Sequence, residues 1–306
     1  MNKTWKRTGL ALGLSAALVL AACGTDDDTA NNDTNGDDGE SSTAVAESLD
    51  YTITGIDAGA GVVAAAQDAL DVYDLEGYEV QMSSSAAMTS ALGTAIDNEE
   101  PIVVTGWNPH WKFAEYDLKY LEDPEGVFGA AEDIHTITRL GLADEMPEAV
   151  EVLGNFFWTE DDMGVIMNDI NNGADPEAAA QEWFDNNQDK VAEWTDGVNH
   201  VDGDAISLAF VAWDSEIAST HLMELVLESV GYNVEISVLE NSFMWEAVAS
   251  GEADAMVAAW LPATHGSQWD LYQDQVDDLG PNLEGAKIGL VVPTYMDIDS
   301  IEDLNN

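Results

Sequence analysis

Three tryptophans close apolar runs of the chain: Trp107 ends IVVTGW, Trp213 ends LAFVAW and Trp260 ends AMVAAW. Short apolar runs of this kind read as buried strands, and in open α/β sheets ligands bind beyond the carboxyl ends of the strands. A single tryptophan there would read as a core residue capping its sheet; three at equivalent ends read as a cage. Indole faces attract a desolvated cation at about 0.5–2 kcal/mol per contact. A quaternary ammonium suits such faces, because its methyls carry no N–H that an acceptor could grip. The loop Asp57-Ala58-Gly59-Ala60-Gly61 supplies the opposite polarity, since it opens a helical stretch from Val62 to Tyr73. The first N–H groups of a helix have no intrahelical acceptor and bind anions, and glycine permits close approach. His265, five residues past Trp260, can donate to the same anion. Together these residues describe a site for a zwitterion, with its cation among Trp107, Trp213 and Trp260 and its carboxylate on Gly61, Val62 and His265. Taken singly, the glycine loop reads as a plain strand-to-helix turn and the histidine as a core residue.

The elements that must position them alternate. Strand signals at Tyr51–Ile56, Tyr78–Met82 and Ile102–Thr105 are separated by helical stretches at Val62–Tyr73 and Ala86–Ile96. A second series follows: strands at 206–212, 234–239, 255–259 and 288–292, with helices at 216–230 and 243–250. Between the series, 146–194 reads as mainly helical, with Asp175-Pro176-Glu177 as a helix start. Such alternation predicts an α/β fold with largely parallel sheets. The series also resemble each other. Gly77-Tyr78 is followed by Trp107 29 residues after the tyrosine, Gly231-Tyr232 by Trp260 after 28, and each tryptophan begins a Trp-x-Pro that leads to a histidine. The shared layout predicts two similar lobes.

The chain has 306 residues, 60 of them Asp or Glu and only 8 Lys or Arg, for a net charge of −52. So few basic residues exclude a phosphate-binding surface, and with it nucleic acid, and a polybasic membrane face. An apolar fraction of 46% with ten tryptophans provides for a large core. The single cysteine, Cys23, excludes an internal disulfide and multi-cysteine metal sites. Residues 1–22 carry Lys3, Lys6 and Arg7 ahead of an apolar stretch from Gly9 to Ala22, too short to span a bilayer as a mature helix. Leu20-Ala21-Ala22-Cys23 resembles a bacterial lipobox, predicting cleavage before Cys23 and a lipid on it. Residues 23–48 read as an acidic flexible tether. The mature chain keeps Lys112, Lys119, Arg139, Lys190 and Lys287 against 60 acids, a charge of −55. Self-repulsion at that density opposes the compact state in dilute buffer, and molar salt, with a screening length of about 3 Å, removes most of it. The expected source is a salt-loving organism.

The remaining histidines, His110, His135, His200 and His221, show no ligand-pair spacing, so no metal is expected. His110 stands close enough in sequence to support Trp107 from behind. No nucleophile elbow, P-loop or dinucleotide fingerprint is present, and neither a cofactor nor an enzyme activity is expected.

GIDAGAGV, VTGWNPHW, FGAAEDIHTITR, VAWDSEIAST, ADAMVAAWLPATH and AKIGLVVPTYM resemble the corresponding stretches of glycine betaine-binding lipoproteins of ABC-type osmoprotectant importers, from about Tyr51 to Leu304. The resemblance implies a two-lobed, periplasmic-binding-protein-like fold of the type II substrate-binding class, with the ligand in a cleft that closes between the lobes. It places the family's cage tryptophans on Trp107, Trp213 and Trp260, its carboxylate-binding amides on Gly61 and Val62, and its carboxylate-binding histidine on His265. Ala58 stands where the family loop often has proline. The family pattern sets lobe 1 at 49–138, with 293–306 returning to it, and lobe 2 at 139–292. The implied function is capture of glycine betaine, and of proline betaine as a second ligand, for an ABC permease and its ATPase subunits, by a protein held at the outer face of the cell membrane through lipid on Cys23. Choline, carnitine or ectoine binding, or an extracellular enzyme acting on quaternary amines, are the alternatives.

The charge density carries its own test. The melting temperature should climb steeply between dilute buffer and several molar NaCl; a flat melting curve across that range contradicts the salt-dependent reading.

Overall fold

The computed structural model describes residues 42–305. The predicted signal, Cys23 and most of the predicted tether lie outside the described residues. The last seven residues of that tether, however, form a helix, α1 (Ser42–Ser48), which buries Ala46, with Leu49 buried just beyond it. The predicted tether therefore extends too far, because Val45, Ala46 and Leu49 supply apolar contacts that an acidic linker lacks.

Two β-α-β-α-β units carry the fold. The first comprises β1 (Thr52–Thr54), α2 (Gly61–Val72), β2 (Glu79–Gln81), α3 (Ser85–Asn98) and β3 (Val104–Asn108). It is followed by α4 (Lys112–Glu115), β4 (Leu118–Tyr120) and β5 (Glu132–Arg139), and then by the helices α5 (Leu142–Glu145), α6 (Pro147–Asn155), α7 (Glu160–Asn171), α8 (Pro176–Asn186) and α9 (Gln188–Trp194). The second unit comprises β6 (Ala205–Phe210), α10 (Asp214–Ser229), β7 (Asn233–Val238), α11 (Asn241–Ser250) and β8 (Ala255–Leu261). α12 (Gly266–Tyr272), β9 (Val276–Pro293) and a final 3₁₀ turn (Ile301–Asn305) complete the described chain.

In each unit the first strand lies between the other two: β1 pairs in parallel with β2 and β3, and β6 in parallel with β7 and β8. Parallel neighbours require a crossover, and α2, α3, α10 and α11 provide it. The repeat read from the sequence is thus a repeat of topology. Gly77 and Gly231 hold equivalent places with φ of +86° and +105°, a region open to glycine.

The expectation of largely parallel sheets holds within each unit and fails between them. β5 pairs antiparallel with β8 and β9, and β9 pairs antiparallel with β3 and β4. β9 is the connection. Its part up to Ala286 pairs with β5, and from Lys287 onward it pairs with β3, then β4. The sheet therefore changes unit before Glu132 and again at Ala286–Lys287, some residues ahead of the 138/139 and 292/293 boundaries drawn from the family pattern. β5 escaped the sequence reading because EDIHTITR sets only Ile134 and Ile137 among charged and polar residues, so its apolar signal is diluted.

The predicted start at Asp175-Pro176 is observed. The Asp175 carboxylate accepts from the N–H groups of Glu177 and Ala178 at 3.1 and 3.4 Å, and Pro176 takes the first helical position. α7 opens on a capping box between Thr159 and Asp162. Trp158, Trp183 and Trp194 are core residues: Trp183 and Trp194 stack with centroids 5.8 Å apart, and Trp158 meets Trp183 edge-on.

Glu216, fully buried in the first turn of α10, accepts from the N–H of Val211 at 2.7 Å and ties the helix to the end of β6. Burial pushes its carboxyl up from 4.5 to about 8. A folded-state pKa above the unfolded one stabilises at low pH, and that stability is lost as pH rises from about 4.5 to about 8. Glu216→Gln keeps the acceptor and removes the titration. In several molar NaCl, its melting temperature relative to wild type should rise between pH 5 and pH 8; a constant difference across that interval rejects the assignment.

Candidate functional site

One cavity gathers Trp107, Trp213, Trp260, Gly61 and Val62, with about 320 Å³ of atom-free space including its open mouth. Trp107 and Trp260 are the penultimate residues of β3 and β8 rather than lying beyond them, and Trp213 is the N-cap residue of α10. All three rings are buried, at 4%, 3% and 7% exposure respectively for Trp107, Trp260 and Trp213. The three tryptophans are separated by up to half the chain, and the sheet brings them to one place: β3 and β8 flank β9 and β5, and Trp107 is paired across the sheet with Ile288 of β9.

Gly61 begins α2, so its N–H and that of Val62 are left over by the helix and lie at the wall of the cavity. A Cβ on Gly61 would stand 2.0 Å from the carbonyl oxygen of Thr264, so only glycine lets α2 approach the 263–265 loop. Glu132 fixes that loop from below: its carboxylate accepts from the N–H groups of Ala263 and Thr264 at 3.1 and 2.9 Å and from the Thr264 hydroxyl.

His265 is fully buried beside the cavity, stacked on Trp213 with centroids 6.3 Å apart and edge-on to Trp245 at 5.8 Å. Its Nδ1 accepts from the N–H of Trp260 at 3.1 Å, which puts the proton on Nε2. Nε2 has no partner among the described residues, so a donor is held ready. Burial pushes the imidazole down to about 3, so it is neutral at neutral pH.

Behind Trp107, His110 meets the indole edge-on at 4.6 Å, and the Lys112 ammonium lies 4.3 Å from the centroid of the same ring. Lys112 is fully buried, and burial pushes it down to about 7. His110 is thus in contact with Trp107, and Lys112 lies over the same ring.

The structure therefore brings Trp107, Trp213, Trp260, Gly61 and Val62 to one wall and His265 against Trp213. Sequence reasoning missed the remaining lining, which includes Ile56, Ser215, Thr264 and Ile288. Ser215 and Thr264 are sequence neighbours of residues that were found; Ile288 arrives only through strand pairing and carries no local signal. A second cavity shares Trp213 and is lined by Asp57, Gly59, Ser84, Val211 and Asn241 among others. Among the described residues no cluster of three or more metal-ligating side chains occurs, and no helix is long and apolar enough to cross a membrane.

The chain is similar to known proteins over most of its length. A family model described as the substrate-binding domain of ABC-type glycine betaine transport systems matches residues 29–186 and 204–306. The glycine betaine/carnitine transport binding protein GbuC of Listeria monocytogenes is 54% identical over 290 residues, 94% of each chain. Among solved structures, lactococcal OpuAC in its closed-liganded conformation with glycine betaine is 52% identical, over 47% of this chain and 57% of that one, with a TM-score of 0.46. A choline-binding protein of an ABC transporter, in complex with choline, is 30% identical over 53% of this chain and 58% of its own, also with a TM-score of 0.46.

The contact at Gly61 tests the geometry directly. Gly61→Ala should cost about 1–3 kcal/mol through overpacking against Thr264. Gly59→Ala, whose new Cβ would meet only Asn241 at 4.0 Å, should be neutral. Equal stability of the two variants in denaturant titrations would rule out the close approach.

Proposed function

The chain belongs to the family of substrate-binding domains of ABC-type glycine betaine transport systems, and on that premise we propose that it captures glycine betaine in the cavity of Trp107, Trp213 and Trp260 for delivery to a membrane permease. The observation that carries this reading is the convergence of three indoles, distant in sequence, on one cavity that also meets the start of a helix. The trimethylammonium group sits among the indole faces, held by cation–π contacts of about 0.5–2 kcal/mol each. The carboxylate accepts from the N–H groups of Gly61 and Val62 and from Nε2 of His265. A ligand of this size can reach a ceiling of roughly 12 kcal/mol, and micromolar binding needs about 8, so three ring faces and a clamp suffice.

On this reading the moving lobes follow strand pairing, one built on β1–β4 with the end of β9 and the other on β5–β8 with its beginning. The ligand contacts both and favours the closed form. Substrate-binding proteins of importers work outside the cytoplasm. We add to this the lipid anchor on Cys23, supported by the lipobox resemblance, and adaptation to high salt, supported by the charge. The role is binding without turnover. Carnitine is the second ligand to consider, because the 54% identical Listeria protein is a glycine betaine/carnitine binding protein.

Calorimetric titration in molar salt with glycine betaine, proline betaine, carnitine, choline and ectoine tests the proposal, with glycine betaine expected to bind at micromolar Kd or better. Trp213→Ala and Trp260→Ala should each weaken glycine betaine at least about tenfold. His265→Ala should weaken glycine betaine and hardly change any binding of choline, which lacks the carboxylate. Betaine binding left intact in both tryptophan variants refutes the cage, and product appearing in NMR spectra after incubation with betaine refutes a pure binding role.

A further inference from the structure

The Trp213-Asp214 pair makes contacts that the cavity alone does not require. The Trp213 indole N–H donates to Asp57 Oδ2 at 3.0 Å, reaching from the second β-α-β-α-β unit to the loop that opens α2 in the first. The next residue reverses the exchange: Asp214 Oδ1 accepts from the indole N–H of Trp111, in the turn after β3, at 2.7 Å. Asp214 Oδ2 accepts from the Ser85 hydroxyl of α3 at 2.8 Å, and His110 Nε2 stands 3.5 Å away. Asn241 of α11 adds a bond to the carbonyl oxygen of Gly59 at 2.9 Å.

We propose that Trp213-Asp214 is a reciprocal latch, in which two indole-to-carboxylate hydrogen bonds running in opposite directions between the units hold Trp213 in its cage position and retain the bound ligand. Asp57, Trp111 and Asp214 are then positioning residues. Each lies within four residues of a cage or anion-site residue: Asp57 before Gly61, Trp111 after Trp107, Asp214 after Trp213. The bonds are charge-assisted and largely out of water, since Trp111 and Trp213 are almost fully buried, and such bonds are about twice as strong as neutral ones. The latch also explains how two carboxylates can face the joint between the units of so acidic a protein. Burial alone would raise Asp214, but His110, Trp111 and Ser85 overcome that and hold it well below the usual carboxylate range. An indole whose N–H donates to a carboxylate is also polarised toward greater electron density on its face, which favours a cation there.

Because the latch resists opening, and Asp57, Trp111 and Asp214 lie outside the cavity lining, loss of its bonds should act on the dissociation rate. This part of the inference rests on the glycine betaine reading. The test uses the full chain in molar NaCl, with stopped-flow tryptophan fluorescence against glycine betaine and small-angle X-ray scattering with and without it. Trp111→Phe keeps the ring and removes one N–H; Asp57→Ala removes the other acceptor; Ser85→Ala is the mildest cut and serves if the others fold poorly. Trp111→Phe and Asp57→Ala should each raise koff at least about tenfold, the loss expected for one hydrogen bond to a charged acceptor, with kon changed less than about twofold. The double variant should also scatter with a larger radius of gyration than wild type. If wild type binds no glycine betaine, the ligand reading fails and scattering alone judges the latch. Unchanged koff in the variants, or, where there is no binding, identical scattering curves for wild type and double variant, overturns it.

Discussion

β9 is hydrogen-bonded to β3 of the first β-α-β-α-β unit and to β5, which in turn pairs with β8 of the second, and the cavity depends on that one strand. An indole acts through its face, so a cage requires rings from different strands to be aimed at a common point. Within one unit, the parallel strands β1 and β3 cannot supply all three tryptophans. The antiparallel run of β9 beside β3 and of β5 beside β8 joins the sheets edge to edge and brings the ends of β3, β8 and β6 to one place. Glu132 at the start of β5 then fixes the 263–265 loop, and Gly61 lets α2 close against it.

The two units are alike in topology and divided in use. Trp107 and Trp260 end corresponding strands, β3 and β8. The connections after the first strands also correspond, leading from β1 into α2 and from β6 into α10. One of these, in the first unit, presents free amides at Gly61; the other, in the second, presents the ring of Trp213. On the proposed reading, a zwitterion needs one pole of each kind, and a duplicated scaffold provides two equivalent corners that can diverge to meet that need.

The chain carries 60 acidic residues, yet the cavity lining holds only indoles, aliphatic groups, small polar side chains and backbone amides. The ionisable groups nearest the rings are restrained by burial or by donors. His265 and Lys112 are pushed down by burial, and Asp214 is kept ionised by its donors. The solvent-facing charge answers to salt, whereas ring faces and helix amides act at short range and are little screened.

Much of this was legible in the residues themselves. Apolar runs ending in tryptophan, the glycine loop before a helix and the Asp-Pro helix start are local signals, and local sequence determined them because each depends on backbone propensity and nearest neighbours. The duplicated layout was visible for the same reason. Other features had no local signature. β5 sets two isoleucines among charged and polar residues, the full length of β9 is defined by pairing with β5, β3 and β4, and Ile288 reaches the cavity only through its register against Trp107. The pairing of Trp213 with Asp57 and of Trp111 with Asp214 joins residues more than a hundred positions apart. Side-chain types and their order along the chain were set by the sequence alone; which faces meet, and which carboxylate receives which N–H, was decided by strand pairing between the units, because a hydrogen bond or ring contact depends on separation in space, which long-range pairing controls.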